Sequence, residues 1–282
     1  MKGFLVHFAK RYIAGDELGD AIGVALELNS RSISAAIDNL GENAAGKAEA
    51  YEAVCEYIKL LGEINKTKAD STVSLKLTQM GLDISDELAE KNAEKVIKKA
   101  AALNNSVRLD MESSAYTEKT IAVFLSLHKK YPATGIAIQS ALKRSRADIK
   151  TLIKEKASVR LVKGAYKEPP DIAFEDKADV DRNYEVLMKE LLLHGVNPAI
   201  ATHDERLIEE AIRFTKKNGI GKDAFTFEML LGIKRSLQSR LADEGFHVRV
   251  YVPYGKNWLQ YILRRLRERK ENLYFVVKNI FD

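Results

Sequence analysis

SVRLDMESSAYTEKTIAVFLSLHKKYPATGIAIQ, residues 106–139, is the stretch that decides how the chain folds. Val107 and Leu109 alternate with Arg108 and Asp110, the period-two pattern of a strand with two unlike faces. Glu118–Lys130 follows with apolar residues at helical spacing, and a second short apolar run occupies 134–139. Strand, helix, strand in that order is a βαβ unit. The same unit recurs outward in both directions. Strand-like runs lie near 32–38, 71–77, 158–163, 197–202, 225–229 and 247–252, and amphipathic helical patterns include Ala48–Leu61, Asp86–Leu103 and Asp181–Leu193. Eight strand–helix units without a linker-like break predict one α/β domain spanning 1–282, a (β/α)8 barrel of the TIM type. Residues 1–31 are expected as an N-terminal helical segment and 32–282 as the barrel. A doubly wound open sheet has the same local pattern and is the alternative.

Composition narrows the classes. The 45 basic and 40 acidic residues are interspersed and leave a net charge of only +5. That weighs against general nucleic-acid binding, which needs clustered basic residues. The single cysteine, Cys55, shares a helical face with Val54, Ile58 and Leu61 and reads as a small core residue. It cannot form an internal disulfide, which fits a reducing compartment. No apolar run reaches membrane-spanning length. The opening MKGFLVHFAKRYIAG reads as a packing or capping segment, with membrane-surface contact as the lesser alternative. The five histidines show no metal-ligand spacing. There is no Walker loop, and Gly219-Ile220-Gly221 lacks the third glycine of a dinucleotide fingerprint.

The strands themselves are informative. Strands of an all-parallel sheet are usually apolar on both faces, but here one face of each run is polar. With the apolar set placed under the helices, the inward face carries Asp38, Lys76, Asp110, Gln139, Arg160, His203, Glu228 and Tyr251. Each has an ordinary explanation alone: a structural Lys76–Asp110 ion pair, a core histidine, a core aromatic. Eight together at the C-terminal mouth of a barrel predict an active site, because unpaired burial of so many polar groups is costly.

Near the C-terminus, YVPYGKNWLQYILRRLRE (251–268) runs from a strand through a Pro/Gly turn into a helix expected over the active site. Trp258, Leu259, Ile262, Leu263 and Leu266 form an apolar stripe on the wheel, flanked by Tyr261, Arg264, Arg265 and Glu268. Paired arginines beside a buried stripe suit a carboxylate or phosphate. A plain basic surface helix, Arg264–Lys270, is the competing reading.

These residues together resemble a known family. DNLGE (38–42), SLKLTQMGLD (74–83), RLDME (108–112), VRLVKGAYKEP (159–169), KADVDRNY (177–184), ATHD (201–204), FEMLLGI (227–233) and the C-terminal stretch are similar, in order, to the FAD-dependent proline dehydrogenases (proline oxidases) in their monofunctional form. The resemblance implies oxidation of L-proline to Δ1-pyrroline-5-carboxylate by hydride transfer to FAD, the first step of proline catabolism to glutamate. A membrane quinone would re-oxidise the flavin, and a separate pyrroline-5-carboxylate dehydrogenase would take the product. It also implies a cytoplasmic protein, peripheral at the inner face of the membrane at most, with no nucleic-acid partner. Lys76, Asp110, Arg160 and Tyr251 match catalytic positions. Lys76, Leu230, Tyr251, Tyr261, Arg264 and Arg265 match the proline pocket, and Glu42 matches a gate that pairs with the first arginine.

For FAD the matching positions are Asp110, Gln139, Arg160, Val162, Lys163, Gly164, Ala165, Tyr166, Lys177, Thr202, His203, Glu228, Arg265 and Glu268, with Arg160 at flavin N5. Lys163 and Lys177 are expected on the pyrophosphate, and no metal is expected. Glu228 departs from the pattern, standing where many relatives have glutamine. The Tyr254–Asn257 loop is shorter than in bifunctional relatives, and no aldehyde dehydrogenase domain is expected after Asp282. A flavin barrel of the methylenetetrahydrofolate reductase type and a basic nucleic-acid binder are the alternatives.

Overall fold

The computed structural model of the protein describes residues 11–259 and Tyr261. Eight parallel strands close on themselves in sequence order. They are β1 (Ser34–Asn39), β2 (Ser71–Leu75), β3 (Val107–Leu109), β4 (Gly135–Gln139), β5 (Ser158–Val162), β6 (Ala199–Ala201), β7 (Thr226–Leu230) and β8 (His247–Tyr254). Closure is made by β1 against β8, in register from Ser34 opposite Arg249 to Asn39 opposite Tyr254. An open doubly wound sheet is thereby ruled out.

The helices are α1 (Leu18–Asn29), α2 (Lys47–Thr67), α3 (Asp86–Ala102), α4 (Ser114–Lys130), α5 (Ser145–Lys154), α6 (Lys177–His194), α7 (Glu205–Lys217) and α8 (Arg235–Asp243). Local chemistry sets their ends. Ser85 accepts from the Leu88 amide to start α3, with Asp86 and Glu87 in the positive first turn. Asp204 accepts from the Arg206 amide to start α7. Outward strand residues such as Ile37, Val73, Leu75, Leu109, Ile138 and Val250 meet the apolar helix faces in one continuous core.

Seven helices follow strands β1 to β7. The eighth place in the ring is filled by α1, which packs against both β1 and β8. The Ala14 amide donates to the Pro253 carbonyl at 2.8 Å, and the Gly255 amide donates to the Gly15 carbonyl at 2.9 Å. Asn29, at the other end of α1, bonds the Asp70 backbone through both side-chain atoms. The described part of the expected N-terminal segment is therefore part of the barrel wall. After β8, Trp258, Leu259 and Tyr261 are helical.

Three expectations need correction. The run 71–77 ceases to be a strand at Leu75, because Lys76 to Met80 turns, the Met80 amide donating to the carbonyls of Lys76 and Leu77. Cys55 is only half-buried on α2; Val54, Tyr57 and Leu61 make the buried face instead. Leu259 is not part of a buried stripe: it is 49% exposed, whereas Tyr261 is 6% exposed. Tyr261 packs with Tyr12, Ile13, Leu40 and Ile233, with Leu230 and Trp258 beside them. Of the opening segment 1–15, Tyr12 and Ile13 are packed in this cluster. Residues 1–10 lie outside the described residues.

Candidate active site

Inward residues of β1, β2, β3, β5, β7 and β8 build one ionic network. Lys76 Nζ, just past β2, lies 2.8 Å from Asp38 Oδ2 and 3.9 Å from Asp110 Oδ2. Arg160 of β5 donates from Nη1 to Asp110 Oδ1 at 2.7 Å, from Nη2 to Ser74 Oγ at 3.1 Å, and from Nε to Glu228. Tyr251 OH donates to Asp110 Oδ2 at 2.6 Å, and the Arg160 guanidinium sits 5.3 Å from the Tyr251 ring centroid. Lower in the barrel, Arg108 and Arg249 both donate to Glu228 Oε1, at 3.0 and 3.2 Å. Gly135 makes room for this layer, since a Cβ there would stand 2.9 Å from Arg108 Nε.

Burial and charge set the protonation states. Burial works against the Lys76 ammonium, but Asp38, Asp110 and Glu42 outweigh it and raise its pKa, so it stays charged. Burial likewise opposes the Glu228 carboxylate, yet Arg160, Arg108 and Arg249 pull it down to about 2. Asp110 moves up because burial outweighs the help of Arg160 and Lys76. Tyr251 is raised well above the usual phenol range by burial, then by Asp110 and Asp38, and remains a donor. Burial lifts Glu112 to about 7, despite bonds from both Thr78 N and Thr78 Oγ1.

A second cluster lies where β5 and β6 end. Lys163 Nζ is held 2.5 Å from Asp181 Oδ1 and 2.9 Å from Asp204 Oδ2, and Lys177 Nζ is 2.9 Å from Asp181 Oδ2. Gly164 between them has φ +118°, and a Cβ would meet Gln139 Oε1 at 3.0 Å and Ala141 Cβ at 3.1 Å. The local chain needs glycine there. Gln139 is fixed by donating from Nε2 to the Glu112 carbonyl at 2.8 Å.

The structure therefore brings Lys76, Asp110, Arg160, Glu228 and Tyr251 together as the strand phasing predicts. Val162 ends β5, Lys163, Gly164, Ala165 and Tyr166 follow on its loop, and Lys177 opens α6. Thr202 is buried, its Oγ1 accepting from the Asp204 amide, and His203 Nε2 accepts from the Leu230 amide at 2.9 Å. Leu230 belongs to the aromatic cluster around Tyr261. Glu42, half-buried after β1, is close enough to act on the charge of Lys76. Arg264, Arg265 and Glu268 lie outside the described residues.

Sequence reasoning did not select Asp38 as the partner of Lys76, nor Arg108, Arg249, Glu112, Asp181 or Asp204. Arg108 and Arg249 share the strand phase of Asp110 and Tyr251, so their inward direction was readable, but their common carboxylate was not. Among the described residues, no group of three or more His, Cys, Asp or Glu could hold a metal ion, and no helix is long and apolar enough to cross a membrane.

Known proteins are similar to this chain in sequence and fold. The family model described as proline dehydrogenase matches residues 21–278. Proline dehydrogenase 2 of Bacillus subtilis is 38% identical over 272 residues, covering 96% of this chain and 90% of that protein. Proline dehydrogenase of Deinococcus radiodurans is 39% identical over 279 residues, covering 97% and 90%. The crystal structure of proline utilization A from Bdellovibrio bacteriovorus, inactivated by N-propargylglycine, superposes with a TM-score of 0.88 at 26% identity over 94% of this chain. This chain spans only 33% of that much longer protein. A match that runs from inside α1 past β8, and so includes every strand that feeds the network, places this chain in the proline dehydrogenase family.

Proposed function

We propose that the chain oxidises L-proline to Δ1-pyrroline-5-carboxylate with FAD as cofactor. The observation that carries the reading is the set of buried Lys76, Asp110 and Arg160 with half-buried Tyr251 at the barrel mouth, joined by direct hydrogen bonds and ion pairs. FAD, when bound, supplies the acceptor for the hydride leaving proline C5, and the amine gives up its proton as the C5–N bond becomes a double bond. Lys76, kept charged by its carboxylates, suits electrostatic attraction of the proline carboxylate and is unsuited to act as the base. Tyr251 and Arg160 are held in fixed orientation through Asp110, which is the positioning that hydride transfer demands.

The residues present fit the cofactor. Lys163 and Lys177 are two cations beside a glycine whose backbone a Cβ would obstruct, a donor set suited to a pyrophosphate. Asp181 and Asp204 hold these lysines in place. Arg160 is assigned to the redox end of the flavin and Arg264 and Arg265 to the proline carboxylate, on the family resemblance. The resemblance also supports a membrane quinone as acceptor, transfer of product to a separate pyrroline-5-carboxylate dehydrogenase, and a cytoplasmic location with peripheral membrane contact.

The test is an absorbance spectrum of the purified protein before and after anaerobic proline. Bleaching of the flavin bands supports the proposal. A protein that takes up no FAD, or whose flavin responds to NADH and not to proline, overturns it. Arg265→Met should raise the KM for proline about 10- to 150-fold through loss of a charge-assisted contact.

A further inference from the structure

The barrel's other end is built in an unusual way for a packed interior. Inward positions of its first layer are small and hydroxylated, with Ser34, Thr72, Ser158 and Thr226 all partly accessible to solvent. Arg108 and Arg249 stand among them, their side chains 11% and 21% exposed. Ser34 faces Arg249 across the β1–β8 pairing, and Ser158 Oγ accepts from Arg108 Nη2 at 3.1 Å. Both serines donate their own protons to backbone carbonyls, Ser34 to Val248 at 3.2 Å and Ser158 to Asn197 at 3.0 Å, which leaves the threonine hydroxyls as donors. Most barrels fill such a layer with branched apolar side chains.

The charges at this end of the barrel do not balance. Arg108, Arg160 and Arg249 converge on the one carboxylate of Glu228, and of the three only Arg160 reaches a second carboxylate, Asp110. Arg160 takes Asp110 Oδ1 and one oxygen of Glu228. Arg108 and Arg249 must therefore divide the other oxygen, Oε1, and the excess falls on them. Arg249 has no other hydrogen-bond partner among the described residues, and the Nε atoms of both arginines are buried without one. Consistent with this crowding, burial, opposed in part by Glu228 and reinforced by Arg160 and Arg249, lowers the pKa of Arg108 to about 10.

The geometry points to a binding site for a small inorganic oxyanion at the N-terminal end of the barrel, between Arg249, Arg108 and the hydroxyls of Thr72 and Thr226. A tetrahedral oxyanion offers acceptors to guanidinium and hydroxyl donors together and neutralises the surplus charge. The site lies on the side of Glu228 away from Lys76 and Tyr251, so its ligand does not touch the reacting centre. Bound there, the anion relieves the repulsion between Arg108 and Arg249 and leaves Glu228 to its bond with Arg160.

Calorimetric titration of inorganic phosphate tests this, using the full chain saturated with FAD at constant ionic strength, so that the cofactor's own phosphate subsite is filled. Saturable binding that weakens about tenfold or more in Arg249→Gln, and about threefold or more in Thr226→Val, supports the site. Absence of saturable phosphate binding overturns it, as does equal affinity in the wild type and in whichever of the two variants folds. A melting temperature that climbs with phosphate in the wild type but not in Thr226→Val is the second supporting readout. Equal climbs in both count against the site.

Discussion

Lys76 Nζ stands 2.8 Å from Asp38 Oδ2, and the two side chains are 8% and 0% exposed. A buried pair of this kind adds little over an apolar replacement, but removing one partner strands the other. Asp38→Ala should therefore destabilise the fold by about 3–5 kcal/mol in urea denaturation. The Lys76 pKa is raised in the folded state, so the pair's contribution is fully present below the unfolded lysine value and is lost as pH rises through the higher folded one. Wild type should lose stability above roughly pH 10 more steeply than Lys76→Met does.

Glu228 responds at the other end of the scale. Its folded pKa of about 2 lies below the ordinary 4.5, so it stabilises above 4.5 and that stability goes as pH falls towards 2. The gap corresponds to about 3 kcal/mol. Glu228→Gln should lose on that order at pH 7 and show a flatter stability profile between pH 5 and 2. Equal slopes in the two proteins would show that the three arginines do not hold this carboxylate.

Glu112 runs the opposite way. Its carboxyl is lifted to about 7 from 4.5, so the folded state keeps a proton that the unfolded chain releases. Stability should decline as pH rises from about 4.5 to 7 and then level off, a slope absent from Glu112→Gln. Carboxyl carbon NMR of the labelled protein should show one buried glutamate with a midpoint near 7.

Gly164→Ala tests the β5 loop. The φ of +118° and the close approach of Gln139 and Ala141 leave no relaxed place for a Cβ. A cost of about 1–3 kcal/mol is expected, together with weaker FAD retention on a desalting column. Full retention with unchanged stability would remove Gly164 from the cofactor cradle.

The barrel was legible because its signal is local and repeated: each strand shows its two faces within five or six residues. The inward set was legible for the same reason, and the family motifs add roles to its members. What stayed hidden depends on closure. Tyr251 meets Asp110 across 141 residues and Arg108 meets Glu228 across 120, and no periodicity within a segment selects such partners. Leu259 and Tyr261 show the limit of a helical wheel. It orders residues around an axis but does not say which edge meets the protein, and here a cluster with Tyr12 and Ile13 decided that. Cys55 failed similarly, one position off the buried face of α2.

The place of α1 in the ring has a consequence for how the molecule is made. Its apolar edge, Ala21, Ile22, Ala25 and Leu28, lies against β1 and also against β8, the last barrel strand among the described residues to be translated. At ordinary translation speeds, roughly 10 to 45 s separate the appearance of α1 from that of β8. During that interval α1 has only half of its docking surface. A nascent chain halted before His247 should therefore be protease-sensitive at α1 and bind chaperones that grip apolar helices. Release past Tyr254 would end both at once, making the start of the chain a reporter of whether its end has arrived.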